Sequence, residues 1–172
     1  MKLVIPSQLI PRLKAELRRG GRSEIGGVLV GEHIGTDFFR LVDFSVQYSG
    51  GTRAHFVRDV AHNQAFLNSF FEKTGHDYQR FNYIGEWHSH PQFQVTPSVE
   101  DIATMRDIIF DPNVGVNFAI LLITRLNKSR IELSATLFTA ENQPNLLTLE
   151  IEKPISDRGF LAKFKQLFCL EK

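Results

Sequence analysis

Phe81-Asn82-Tyr83-Ile84-Gly85-Glu86-Trp87-His88-Ser89-His90-Pro91 is the stretch on which the reading of this chain turns. From Phe81 to His88 the residues are aromatic and strand-prone, so the segment reads as a β-strand. His88 and His90 stand at i and i+2. On a strand, such side chains leave one face with Cα atoms ~6.5 Å apart, and from there two imidazoles can converge on one zinc ion at ~2.0–2.1 Å. Trp87 and Ser89 face the other way, toward the core or behind the histidines. Glu86 shares the parity of the histidines and by geometry alone is a rival for the same metal.

Downstream, Pro97 to Phe110 reads as a helix with proline near its start and Asp111-Pro112 as its stop. Ser98 and Asp101 sit three apart in its first turn and share a face. The joint pattern is His-x-His, seven residues, Ser, two residues, Asp, and random draws from this composition produce it about 5 times in 10,000. Taken singly, the pieces are bland. Ser98-x-x-Asp101 nearly spells a capping box, a structural device far more often than a catalytic one, and a histidine pair at a strand end is commonly only exposed. The combination favours chemistry.

Working outward, Ser23-Glu24-Ile25-Gly26-Gly27-Val28-Leu29-Val30-Gly31 reads as a strand whose glycines admit a neighbouring backbone. Phe38 to Gln47 is expected to be a second strand, after the Gly35-Thr36-Asp37 turn. Phe118 to Thr124 and Arg130 to Thr139 are expected to form a hairpin around Leu126 to Ser129, with a further strand over Leu146 to Ile151. Helical spacing marks Ser7 to Arg19, Asp59 to Lys73 (with Phe66, Phe70 and Phe71 on one side and Gly75 beyond its end) and an amphipathic Ser156 to Leu170. Strands and helices interleave, which predicts an α/β or α+β class with a mixed sheet flanked by helices.

The chain has 172 residues, 42% of them hydrophobic and 23% charged, which fits one folded domain over residues 1–172 and argues against disorder or coiled coil. Twenty Lys and Arg against nineteen Asp and Glu leave a net charge of +1, so no global field collects nucleic acid or an anionic membrane. No apolar run approaches the ~18 residues of a membrane span. The single cysteine, Cys169, permits no internal disulfide and no cysteine-rich zinc site, and suits a reducing, cytoplasmic setting. It also excludes the Pro-Cys-x-x-Cys signature of the zinc deaminases, and the His-Glu-x-x-His of zincin proteases is missing. His33, His55, His62 and His76 are read as structural or solvated.

Glu86-Trp87-His88-Ser89-His90-Pro91, with Pro97-Ser98 and Asp101 beyond, resembles the JAMM motif of the MPN/JAB-domain metalloproteases. Ser23 to Gly31 is similar to the strand segment that carries the catalytic glutamate of that family. The resemblance implies a single-domain MPN/JAB-like, cytidine-deaminase-like fold with a mainly antiparallel sheet. It implies His88, His90 and Asp101 as zinc ligands, Glu24 as general base and acid, and Ser98 as support for the oxyanion. It further implies hydrolysis of peptide or isopeptide bonds, with a ubiquitin-like protein or its conjugate as substrate and ubiquitin-like conjugation enzymes as companions. The alternative is a non-catalytic MPN-type scaffold, against which the intact residue set argues. Phe93, in the Gln92 to Thr96 loop between the metal ligands, is expected to touch substrate. Oligomeric state stays open, as does any part for Glu86.

Overall fold

The structure is a computed structural model and describes residues 1–52, 56 and 58–153. The helix expected over Ser156 to Leu170, together with Cys169, and the isolated His55 lie outside the described residues. The elements run β1 (Lys2–Pro6), α1 (Leu9–Gly20), β2 (Gly26–Gly35), β3 (Phe38–Phe44), α2 (Val60–Lys73) and β4 (Phe81–Ser89). They continue with α3 (Val99–Phe110), β5 (Phe118–Asn127), β6 (Arg130–Thr139), β7 (Asn145–Leu146) and β8 (Thr148–Glu152).

These strands form one mixed sheet in the order β7-β6-β5-β4-β2-β3-β1-β8. Four of its seven pairings are antiparallel, and the β4–β5, β1–β3 and β1–β8 pairs are parallel. The expected class is therefore present: α+β, with the mainly antiparallel sheet flanked by helices. The margins of the sheet add one strand and correct one expectation. The short apolar N-terminus, for which no element is expected from the sequence, is strand β1, seated between β3 and β8. The strand expected over Leu146 to Ile151 is two strands: β7 pairs with β6, whereas β8 pairs with β1 at the opposite end of the order. Only Leu147 separates them, so the sheet must curl until its edges lie within two Cα steps of ~3.8 Å each. The Leu147 N–H donates to the Ala135 carbonyl at 2.9 Å across that seam.

Strand β5 is buried on both faces, and its alternation sorts the core into two layers. Ile120 and Leu122 join Trp87, Leu29, Leu3 and Ile5 beneath Leu13 and Leu17 of α1. Ala119, Leu121 and Ile123 join Phe138 beneath Met105, Ile108 and Ile109 of α3. Each such aliphatic side chain, taken from water, contributes about 1.5–3 kcal/mol.

One irregularity in β4 sets which side chains face α3. Leu29 pairs with Gly85 and Val30 with Tyr83, leaving Ile84 as the extra residue of a bulge. Ile84 and Trp87, three apart, thereby both enter the α1-side core. Gly85 has φ +145°, and a Cβ there would overlap the backbone of Ile120 on β5. Only glycine fits that position.

Candidate metal centre

The β4–α3–β5 segment is a parallel crossover, and its loop from β4 to α3 brings the end of the strand to the start of the helix. His88 and His90 at the end of β4 are each 6% exposed. Asp101 lies in the first turn of α3, whose N-cap is Ser98. The ligand atoms of His88, His90 and Asp101 all fall within 4.8 Å of one another. His88 Nε2 is 3.0 Å from His90 Nε2 and 3.3 Å from Asp101 Oδ1, and His90 Nε2 is 3.6 Å from Asp101 Oδ2. A tetrahedral ion with ligands at ~2.0–2.1 Å spaces them ~3.3–3.4 Å apart, so the trio has the dimensions of one face of that tetrahedron.

The tautomer of His90 agrees with this use. Its Nδ1 donates to the Gln94 carbonyl at 2.8 Å. A carbonyl only accepts, so the proton of the neutral ring sits on Nδ1 and the Nε2 lone pair faces the cluster. Burial depresses the His90 pKa, but bonds to Asp101 and the Gln94 carbonyl, with the charges of Glu24 and Asp101, outweigh it and hold it above the usual value. At Asp101 burial pushes upward, yet the His88 and His90 hydrogen bonds, the His88 charge and the Ser98 N–H hold the carboxyl far below the ordinary carboxylate range. The neutral His90 ring offers its Nε2 lone pair, and with the Asp101 carboxylate it makes a donor set that suits a divalent cation, whose binding displaces the proton that Asp101 otherwise favours on Nε2.

Ser98 and Asp101 also form a complete capping box. The Ser98 N–H donates to Asp101 Oδ2 at 2.7 Å, and Ser98 Oγ accepts the Asp101 N–H at 3.1 Å. The two readings of Ser98-x-x-Asp101 are thus one geometry, because the carboxylate that turns back to cap the helix also reaches the histidines.

Glu24 precedes β2, which begins at Gly26 rather than Ser23. It is 4% exposed and lines the same cleft, of about 330 Å³, as His90, Phe93, Thr96, Ser98 and Asp101. The Ile25 N–H donates to Ser89 Oγ at 3.0 Å, and the Ser89 N–H donates to the Ile25 carbonyl at 2.8 Å. Gly26 brings β2 against β4: a Cβ there would overlap the Trp87 carbonyl oxygen and come within 2.9 Å of His88 Cβ. The structure therefore brings all five polar residues singled out in the sequence to one place, with Phe93 at the rim. The Phe93 ring is 51% exposed and meets His90 edge-on at 6.5 Å, while its carbonyl accepts from Arg125 at 2.9 Å.

Glu86 takes the histidine face but is held by another partner, Arg58, whose Nη1 donates to Oε1 at 2.5 Å. Burial raises its pKa, and the Arg58 and His88 charges oppose that rise. Trp87 does face away, with Nε1 donating to the Ser45 carbonyl at 2.8 Å. Sequence reasoning missed the Gln94 carbonyl, the Phe56 ring stacked on His88 at 6.4 Å, and Arg58. No spacing rule marks them, because each reaches the site from a loop.

Known proteins resemble this chain to differing degrees. A "CD-NTase/cGAS isopeptidase" of Vibrio cholerae serotype O1 is 33% identical over 94 residues, 53% of this chain and 58% of the relative. A protein of the same name from Enterobacter hormaechei subsp. hoffmannii is 29% identical over 109 residues, 62% of this chain and 57% of the relative. The matched region spans less than two thirds of either relative. A solution structure of a protein from Desulfitobacterium hafniense superposes with a TM-score of 0.64 at 19% identity, covering 90% of this chain and 96% of that one, which speaks for the fold alone. The model of prokaryotic homologs of the JAB domain matches residues 6–136, most of the sequence, and the chain belongs to that family.

Proposed function

We propose that this chain is a zinc-dependent isopeptidase that hydrolyses the amide bond between a ubiquitin-like protein, or a protein conjugated in the same manner, and its target. The observation that carries the reading is the convergence of His88, His90 and Asp101, two of which, His90 and Asp101, line one cleft with buried Glu24. His88, His90 and Asp101 would hold the ion, three protein ligands being the number that lets a catalytic zinc also take water. Zinc, when bound, supplies Lewis acidity, polarising a carbonyl and making water acidic enough to lose its proton near neutral pH.

The rest belongs to the side chains. Glu24 takes a proton from the attacking water and returns one to the leaving amine nitrogen. Its burial beside the ligands keeps bulk water from competing for that proton. The Ser98 hydroxyl uses a lone pair for the Asp101 N–H, so its own hydrogen is free to donate to the carbonyl oxygen as negative charge develops there. Phe93 and the loop around it border the entry and contact the segment beside the scissile bond. The two relatives named isopeptidases support a protein conjugate as the substrate class.

The test is equilibrium dialysis for zinc, followed by cleavage of ubiquitin-like precursors and conjugates with Glu24→Gln and Glu86→Gln as paired variants. Stoichiometric zinc and a loss of about 10²–10⁴-fold in kcat for Glu24→Gln are expected. A folded chain without stoichiometric zinc, or a fully active Glu24→Gln variant, overturns the proposal.

A further inference from the structure

We propose that Arg58 is a positioning residue whose bond to Glu86 keeps that carboxylate out of the His88, His90 and Asp101 cluster and so preserves an open coordination position. The inference rests on the metal-dependent reading above.

Glu86 lies two residues before His88 on the same face of β4, is 7% exposed, and shares a small cavity with His88 and Asp101. A buried carboxylate needs a cation, and two are within its compass: a guanidinium or the ion of the cluster. Arg58 Nη1 holds Oε1 at 2.5 Å, and the group of mutually close ligand atoms contains His88, His90 and Asp101 without Glu86. The anchor of Arg58 is itself fixed. The next residue, Asp59, caps α2 by accepting the His62 N–H at 3.0 Å, and its own N–H donates to Gln47 Oε1 at 2.7 Å. With two imidazoles and one carboxylate a zinc site keeps a place for water, whereas a second carboxylate closes it, as in structural sites with four protein ligands. Arg58 thereby keeps Asp101 the one carboxylate on this side that serves the metal.

The test compares Arg58→Met, Glu86→Gln and the double variant Arg58→Met/Glu86→Gln in the full chain. Zinc affinity is read by chelator competition, cobalt(II) absorption reports the ligand set, and peptidase turnover is measured in parallel. Release of Glu86 in Arg58→Met should tighten zinc about tenfold, shift the cobalt bands and lower turnover about 100-fold, within the range that residues behind the ligands exert. The double variant should return both the cobalt bands and the affinity to those of wild type. Glu86→Gln alone should keep zinc affinity within about threefold of wild type, because its carboxylate is not a ligand.

A merely structural Arg58 gives the opposite sign: zinc is held more loosely in Arg58→Met, and the double variant does not restore it. Unchanged or weakened zinc binding in Arg58→Met overturns the inference. So does a large loss of affinity in Glu86→Gln, the reading that decides should Arg58→Met fail to fold. Wild-type protein that takes up neither zinc nor cobalt sinks the metal-dependent reading itself. Metal binding by wild type without the tightening in Arg58→Met sinks only the role of Arg58.

Discussion

Ser89 Oγ accepts the backbone N–H of Ile25 at 3.0 Å, tying the residue between the two histidines to the residue after Glu24. Strand alternation sends Ser89 away from the cluster, and there it fixes the segment that brings the glutamate to the cleft. Ser89→Ala leaves a buried N–H without its acceptor, at a cost of about 1–3 kcal/mol. Urea denaturation should report that loss. Turnover should fall with zinc affinity nearly unchanged, and Ser89→Thr, which keeps the hydroxyl, should recover most of it; a Ser89→Ala enzyme of wild-type turnover speaks against this tether.

Asp101 serves both the helix and the cluster, and two substitutions separate these services. Asp101→Asn keeps an oxygen that can accept the Ser98 N–H but removes the charge, so the helix cap should hold, the metal-free protein should lose the stability that the anion gains beside His88 and His90, and zinc affinity should drop by about 100-fold or more. Ser98→Ala should cost about 1 kcal/mol of stability through loss of the cap, and leave zinc bound. Chelator competition and thermal unfolding, run on both variants, check the division. Equal zinc affinity in Asp101→Asn and wild type removes Asp101 from the ligand set.

Gly26 admits the Trp87 carbonyl and the His88 Cβ to its own surface. A methyl group there must push β2 from β4, where the neighbour is backbone and cannot yield cheaply. Gly26→Ala should destabilise the fold by about 1–3 kcal/mol, as overpacking does, and weaken zinc binding with it. Denaturation midpoints and zinc titration measure the two effects together. Loss of stability with zinc affinity intact separates the sheet contact from the site.

Phe93 is half exposed at the rim, on a loop whose backbone is tied to Arg125, itself paired with Glu132 on β6. Phe93→Ala should raise KM for a conjugate substrate about tenfold, with kcat and the unfolding midpoint little changed, consistent with loss of a large apolar contact. Unchanged kinetics in this variant would remove Phe93 from the substrate path.

Much of the fold was readable because the pattern was local. The periodicity of Leu13 and Leu17 gave α1, and the β-prone runs at Phe118 to Thr124 and Arg130 to Thr139 gave the β5–β6 hairpin, which proved longer and more tightly turned than expected. Strand β1 went unread because five residues without alternation carry no period. The division at Leu147 went unread because the residues on either side look alike and differ only in which distant strand receives them. The Ile84 bulge is equally silent, since it is defined by register against β2.

The sequence by itself determined the candidate set: parity put His88 and His90 on one face, and the first turn of a helix put Ser98 beside Asp101. Those are short-range consequences of backbone geometry. Tertiary structure alone decided that strand end and helix start meet within 3.3 to 3.6 Å, that Glu24 is buried in the same cleft, and that Glu86 is held by Arg58. Glu86 and His88 have the same parity, so no local rule distinguishes them. The difference comes from a guanidinium 28 residues away in sequence, and burial makes its company decisive for a charge that cannot remain unpaired.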